Sequence, residues 1–151
     1  MTLDLKPYVR PLIADTIAIS AVTTAAMMLA SKIERNSPWA ALNPICHMID
    51  GDSREFGDGY NERDTLLGIA LNASAMLSWA VIYRFFFKST RFPRSLLAGA
   101  ALSAGAYIVD YHIVPKRFSP GIEKKLGGPA IFWVYVALAL SFGTRPPIEE
   151  D

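Results

Sequence analysis

The feature that most constrains this chain is a series of long apolar runs that carry almost no charge. Leu66–Tyr83 is eighteen residues without a charged side chain, and Leu12–Ala30 is nineteen residues with Asp15 as its single charge. A helix of about 20 residues spans the roughly 30 Å hydrocarbon core of a bilayer. Each run therefore predicts a transmembrane helix, and the apolar character of the later run continues to Phe87.

Two further apolar segments follow. Ser95–Val109 is uncharged for fifteen residues, so a helix that crosses a bilayer here must carry Asp110 into the far interface. The last segment opens at Gly127-Gly128-Pro129 and ends at Gly143. The sequence thus predicts a single all-α domain, residues 1–151, built as an integral membrane bundle of four transmembrane helices. The expected spans are about 12–30, 66–87, 95–114 and 128–143.

The composition limits the classes of partner that such a chain is expected to bind. Of the 151 residues, 52% are hydrophobic and 19% are charged, and the formal net charge is only +1. This charge gives no electrostatic basis for binding nucleic acid, so none is expected. The single cysteine, Cys46, excludes a disulfide within the chain. We expect the lipid bilayer as the main partner, with other membrane proteins or a second copy of the chain as further candidates.

The polar connection between the first two spans contains a short helix signal. Ser37-Pro38 supplies a hydroxyl cap and a proline at the first helical position. Residues 39–49 are apolar and aromatic, but too short to span a bilayer, and Pro44 interrupts them. This pattern predicts a short interfacial helix with Trp39 at headgroup level.

Charge distribution predicts the orientation. Four basic residues fall within eleven positions that contain no acid: Arg84, Lys88, Arg91 and Arg94. Short loops of this kind favour the cytoplasm, and four spans then place both termini on the same side, N-in and C-in. A signal peptide is the alternative reading of the first apolar run, but its length and Asp15 favour an uncleaved helix.

Small residues on the third span predict close packing of helices. Gly99, Ser103 and Ala106 share one face, and Ala101 and Gly105 stand four residues apart beside them. Small side chains at such spacings let the backbones of transmembrane helices approach each other. We therefore expect Gly99, Ser103 and Ala106 to mediate helix packing.

The two histidines suggest one candidate metal site. His47, His112 and Asp110 fall on the same predicted outer side, and imidazole with carboxylate suits several divalent cations. Two histidines can also ligate a haem. The spacing is not that of a known metal motif, because Asp110 and His112 point to different sides of a continuous helix. No bound cofactor is expected, and a metal, haem or proton-handling site at these three residues is the alternative.

Basic residues flank the start of the fourth span: Lys116, Arg117, Lys124 and Lys125. Such residues can contact anionic lipid headgroups, and each contributes about 1 kcal/mol near a charged surface. Solvated flanking charge is the equal alternative. Asp15 is interpreted as an acid near a helix N-terminus, where the helix dipole favours negative charge.

No catalytic motif is present: the sequence has no G-x-S-x-G, no H-E-x-x-H and no C-x-x-C. The leading hypothesis is a non-enzymatic accessory or scaffolding subunit that acts through helix packing and its outer polar loops. A small transporter or channel subunit is a further alternative, because Asn72, Ser74 and Ser78 lie inside the second span.

Several short motifs carry a family resemblance. Asn43-Pro44 precedes a polar loop, and Leu97-Ala98-Gly99-Ala100 enters a helix that ends in Asp110-x-His112, with the run PKRFSPGIE after it. With these motifs, over about residues 38–123, the chain resembles small four-helix inner-membrane proteins of bacteria, the YagU-like group. The resemblance implies a bacterial inner-membrane location and assigns no functional residue.

Overall fold

A computed structural model describes residues 6–88 and 90–148, and this part of the chain contains helices and no strand. The all-α prediction is confirmed. The α-helices are α1 (Lys6–Arg35), α2 (His47–Asp50), α3 (Glu62–Phe87), α4 (Arg94–Ile108) and α5 (Gly128–Gly143). Short 3-10 helices lie at Asn43–Cys46, Lys116–Phe118 and Ile122–Lys124, and a π-helix occupies Val109–Ile113.

Three helical stretches are long and apolar enough to cross a membrane, judged by length and composition: Tyr8–Arg35, Glu62–Phe87 and Arg94–Ile113. Only 22%, 22% and 28% of the residues in their most apolar windows are buried inside the protein. Helix α5 is apolar but has sixteen residues, which is about 24 Å of helix. The long helices therefore present most of their apolar side chains outward.

Helices α1, α3, α4 and α5 form a bundle in which the contact between α3 and α4 is the least extensive. Helix α4 packs along α5, and α1 packs against both α3 and α5, whereas α3 and α4 touch over a shorter stretch. The core has two clusters. One cluster lies in the half of the bundle that contains the start of α1 and the end of α5: Ile19, Met76, Ala80, Tyr83, Ala98, Leu102, Ala106, Leu138 and Phe142. The other lies under the long connections: Met27, Ala41, Leu42, Ile45, Ile122, Leu126, Ile131 and Val134.

Small residues allow the backbones of α4 and α5 to lie close together. A Cβ at Gly99 would lie 2.3 Å from the Ala139 carbonyl oxygen, so only glycine fits there. The Ser103 hydroxyl donates to the Tyr135 carbonyl at 2.6 Å, and Ala106 is 1% exposed. The structure thus places Gly99, Ser103 and Ala106 on the buried side of α4.

The segment between α1 and α3 differs from the expected interfacial helix. Its short helices are present, but residues 40–47 are all buried. The segment packs against α3, where a Cβ at Gly68 would lie 2.1 Å from the Leu42 carbonyl oxygen. Trp39 packs edge-on against Tyr60 at 5.2 Å between ring centroids. The segment is inside the protein because Gly68 lets its backbone approach α3.

A buried ion pair joins α1 to α3 at the other end of the bundle. Asp15 and Arg84 are 3% and 7% exposed, and Arg84 Nε lies 2.5 Å from Asp15 Oδ2. Arg84 Nη1 also donates to the Pro146 carbonyl at 2.7 Å. Arg84 is therefore an interior residue of α3 rather than a loop charge. Because α1 and α3 are antiparallel neighbours, the start of one lies beside the end of the other.

We predict that Gly99→Leu destabilises the bundle, because the added side chain meets the backbone of α5. Overpacking of this kind typically costs about 1–3 kcal/mol. The melting temperature of the purified protein in mild detergent, followed by circular dichroism, measures the effect. Gly105→Leu is the matched control, since a Cβ at Gly105 meets nothing within 4 Å. Equal melting temperatures for the two variants would contradict the packing argument.

We predict that Arg84→Leu lowers the free energy of unfolding by about 3–5 kcal/mol, because it leaves the Asp15 carboxylate buried without its cation. The double variant Asp15→Leu/Arg84→Leu should recover much of this loss, since no buried charge remains. Unfolding from mixed micelles by added dodecyl sulfate measures the wild type, the single variants Arg84→Leu and Asp15→Leu, and the double variant. Arg94→Leu, at an exposed arginine, is the control. Additive losses in the double variant would show that the two charges do not interact.

Candidate functional site

The two long connections of the chain meet at one end of the bundle, and we call residues 36–64 and 115–127 the polar cap. Acidic residues from the first connection pair with basic residues from both. The ion pairs are Arg35–Asp58, His47–Asp52, Lys124–Asp52, Lys125–Asp58, Arg54 and Arg63 with Asp50, and Arg54 and Arg63 with Asp64. The cap is therefore a connected network rather than a free loop.

Two aspartates join the connections to each other. Asp52 Oδ1 lies 2.7 Å from Lys124 Nζ, and Asp58 Oδ1 lies 2.5 Å from Lys125 Nζ. Hydrogen bonds from these lysines lower the pKa of both aspartates. Lys124 and Lys125 thus bind carboxylates of the protein because the acidic loop folds over them, and their contact with lipid headgroups stays a prediction. Lys116 and Arg117 are exposed, and their contact with lipid stays a prediction.

Four charged residues hold the acidic loop to the start of α3. Arg63 donates to both carboxylate oxygens of Asp50, at 2.7 and 2.8 Å, and Arg54 bonds to Asp50 and to Asp64. Hydrogen bonds from Arg63, and then from Arg54, hold the pKa of the Asp50 carboxyl well below its usual range. The guanidinium of Arg54 also lies over the Phe56 ring at 5.0 Å. This quartet fixes the loop through opposite charges.

His47 is completely buried within the cap. Its Nδ1 lies 2.8 Å from Asp52 Oδ1, and its Nε2 lies 2.8 Å from the Ser119 carbonyl oxygen. Both partners are acceptors, so a ring with a proton on each nitrogen satisfies both contacts. Gly121 makes room for this arrangement, since a Cβ there would lie 2.7 Å from His47 Cδ2. With both nitrogens engaged, His47 presents no free lone pair to a metal ion.

The other two members of the predicted metal site lie elsewhere. Asp110 Oδ2 accepts a hydrogen bond from the Tyr135 hydroxyl at 2.6 Å, and His112 is exposed with its ring 5.7 Å from that of Tyr107. Residues 6–88 and 90–148 contain no group of three histidines, cysteines, aspartates or glutamates that could hold a metal ion. The structure does not bring His47, Asp110 and His112 together as a metal centre, because His47 turns inward toward Ser119.

A tyrosine cluster surrounds Asp110. The rings of Tyr107 and Tyr135 are 5.3 Å apart, those of Tyr107 and Tyr111 are 5.1 Å apart, and those of Tyr111 and Tyr135 are 6.2 Å apart. Asp110 and Tyr111 belong to the π-helix, a distortion that often accompanies functional sites. The four-residue spacing of Tyr107 and Tyr111 is the one signal of this cluster in the sequence, because Tyr135 lies within the last apolar run and resembles its apolar neighbours.

Two cavities adjoin the cluster, and Tyr135 lines both. An inner cavity of about 120 Å³ lies between α1, α3 and α5, where Asn72 and Asp110 supply its polar wall. Asn72 Nδ2 is held by the hydroxyls of Thr23 and Thr24, at 3.1 and 3.2 Å. A larger groove of about 790 Å³ runs between α4 and α5. Tyr135 thus lies between the inner cavity and the groove.

The chain was compared with protein families, with curated proteins and with solved structures. No family model, curated protein or solved structure matches it.

Proposed function

We propose that this chain is an integral membrane protein of the bacterial inner membrane with four transmembrane helices. The observation that carries the proposal is its apolar exterior. Large exposed side chains occur on all four long helices: Ile13, Ile17, Val22, Leu29, Leu66, Leu77, Val81, Leu97, Ile108, Phe132, Trp133 and Leu140. An apolar surface of this extent favours lipid or other apolar helices over water. Helix α5 spans with little tilt where the bilayer is thin.

The proposed orientation is N-in and C-in. Lys88, Arg91 and Arg94 lie together at the connection of α3 to α4, which favours the cytoplasm. Arg84 is paired inside the bundle and no longer counts toward this bias. The polar cap then lies on the outer side.

We further propose a non-enzymatic role as an accessory or scaffolding subunit. Buried polar groups of the cap hold its own backbone in place: Asn43 Nδ2 donates to the carbonyls of Gly57 and Gly59, both at 2.8 Å, and Asn43 Oδ1 accepts from the Thr65 hydroxyl at 2.7 Å. Together with the ion pairs, these bonds give the cap one defined surface. A fixed outer surface above an apolar bundle suits binding to another membrane protein.

Helix α4 offers an association face within the membrane. Ala101 is exposed, and a Cβ at Gly105, four residues later, meets nothing within 4 Å. Small residues at this spacing let a second helix approach closely. We propose that a helix of another membrane protein, or of a second copy, packs at Ala101 and Gly105.

Cysteine labelling tests the orientation. Ser53→Cys, in the exposed cap, should react with a membrane-impermeant maleimide in intact spheroplasts, whereas Thr144→Cys should react only after lysis. The wild-type chain is the control, because burial raises the pKa of the Cys46 thiol to about 11 and keeps it unreactive. The opposite labelling pattern would contradict the N-in and C-in orientation. Labelling of both added cysteines in intact spheroplasts would contradict four spans.

Energy transfer between labelled copies tests the association face. Donor- and acceptor-labelled chains, reconstituted in liposomes at a fixed protein-to-lipid ratio, should show transfer that Gly105→Leu reduces at least about fivefold, equivalent to about 1 kcal/mol. Ala25→Leu, at an exposed alanine of α1, should leave the transfer unchanged. Equal transfer in wild type and Gly105→Leu would contradict self-association through this face.

A further inference from the structure

The groove between α4 and α5 has chemically different ends. Along α4 and α5 its walls are small or apolar side chains, and toward the cap its walls are aromatic and polar. The apolar part, away from the cap, comprises Ala100, Ala104, Val136 and Ala139. The polar end, toward the cap, comprises Tyr107, Tyr111, His112, Glu123 and Tyr135, beside the apolar side chains of Ile108, Ile131 and Phe132. We propose that this groove binds one amphiphile whose apolar chain lies along the helices and whose head carries an ammonium group.

The apolar part has room for a hydrocarbon chain because its residues are small. Ala100 and Ala104 from α4 face Val136 and Ala139 from α5, and the whole groove encloses about 790 Å³. In a bilayer such a chain replaces other lipid tails rather than water, so the apolar part supplies a fit and the polar end supplies the selectivity. The Ser103 hydroxyl is already bonded to the Tyr135 carbonyl, so it adds no unsatisfied polar group to this wall.

The polar end provides recognition for a cation. Three tyrosine rings line it, and the faces of aromatic rings attract ammonium groups. The Tyr111 hydroxyl is buried, so Tyr111 offers the groove its ring rather than its hydroxyl. Glu123 is exposed and lines the groove, and its Oε1 accepts from the Ser119 hydroxyl at 2.9 Å, so its carboxylate presents a negative charge to the head of the ligand.

Charge selects an ammonium head over an anionic one. Glu123 lines the groove, and the described lining contains no lysine or arginine. Asp110, which lines the inner cavity, accepts a hydrogen bond from the Tyr135 hydroxyl, so that hydroxyl is not free to donate to an anionic head. A phosphate or sulfate head alone would meet the Glu123 carboxylate without a compensating cation. The groove does not include Gly105, so this inference is independent of the proposed association face.

Titration with single-chain amphiphiles tests the proposal on the purified full-length protein. Hexadecylammonium, added at low mole fraction to dodecyl maltoside micelles, should raise the melting temperature saturably and appear as one bound copy in native mass spectrometry. Hexadecyl sulfate and hexadecanol should bind at least about tenfold more weakly. Equal binding of the three amphiphiles would overturn the assignment of an ammonium head.

Three variants locate the site. Glu123→Gln should weaken hexadecylammonium binding about tenfold, in line with the loss of a charged hydrogen bond. Ala104→Trp should abolish binding by filling the groove, and Ala70→Trp, at an exposed alanine of α3, should leave it unchanged. Unchanged binding in Glu123→Gln and Ala104→Trp would overturn the proposal. A wild-type dimer that takes up no amphiphile and dissociates in Ala104→Trp would show that a second copy fills the groove, which would also overturn it.

Discussion

Hydrogen bonding between inward-facing polar side chains is the interaction on which the bundle depends. The outside of the long helices is as apolar as their contacts, so apolar burial alone does not decide which face turns inward in a lipid environment. Polar contacts do: Asp15 pairs with Arg84, and Asn72 bonds to Thr23, so α3 presents one defined face to α1. The Ser103 hydroxyl plays the same part between α4 and α5. The α1–α3 and α4–α5 contacts thus each have a polar group that fixes the rotation of the helices.

Local sequence signals predicted the long helices well, because the length of an apolar run is a local property. Helix α5 coincides with the expected span at 128–143, and α3 ends at Phe87 as expected but begins four residues earlier, at Glu62. The destination of charged side chains was not predictable in the same way. Arg84 sits in a basic run typical of a loop, yet it turns inward because Asp15 lies across the helix contact. Lys124 likewise forms an ion pair with Asp52, which lies 72 positions earlier in the chain.

In the candidate site, too, the sequence indicated some of the residues but not the contacts that they make. Asp110 and His112 were singled out because polar residues at the end of an apolar helix are unusual, but their actual neighbours come from tertiary structure. The partner of Asp110 is Tyr135, a residue that looked like ordinary apolar filling of the last segment. His47 was grouped with them by predicted side alone, and its ring is engaged by Asp52 and by the chain near Gly121. Contacts across 72 positions leave no periodic trace in the sequence.

The second bond of Arg84 has a consequence for the order in which the chain is completed. Asp15 and Arg84 can meet as soon as α3 has been synthesised, whereas the Pro146 carbonyl follows Arg84 by 62 positions. Until α4 and α5 have been synthesised, Arg84 Nη1 therefore lacks the Pro146 carbonyl as its acceptor. The Ile148 amide donates to the Lys88 carbonyl beside the Arg84 contact, so Pro146 and Ile148 both bond to the end of α3. The segment that follows α5 thus holds α5 to α3, two helices that are not adjacent in the chain.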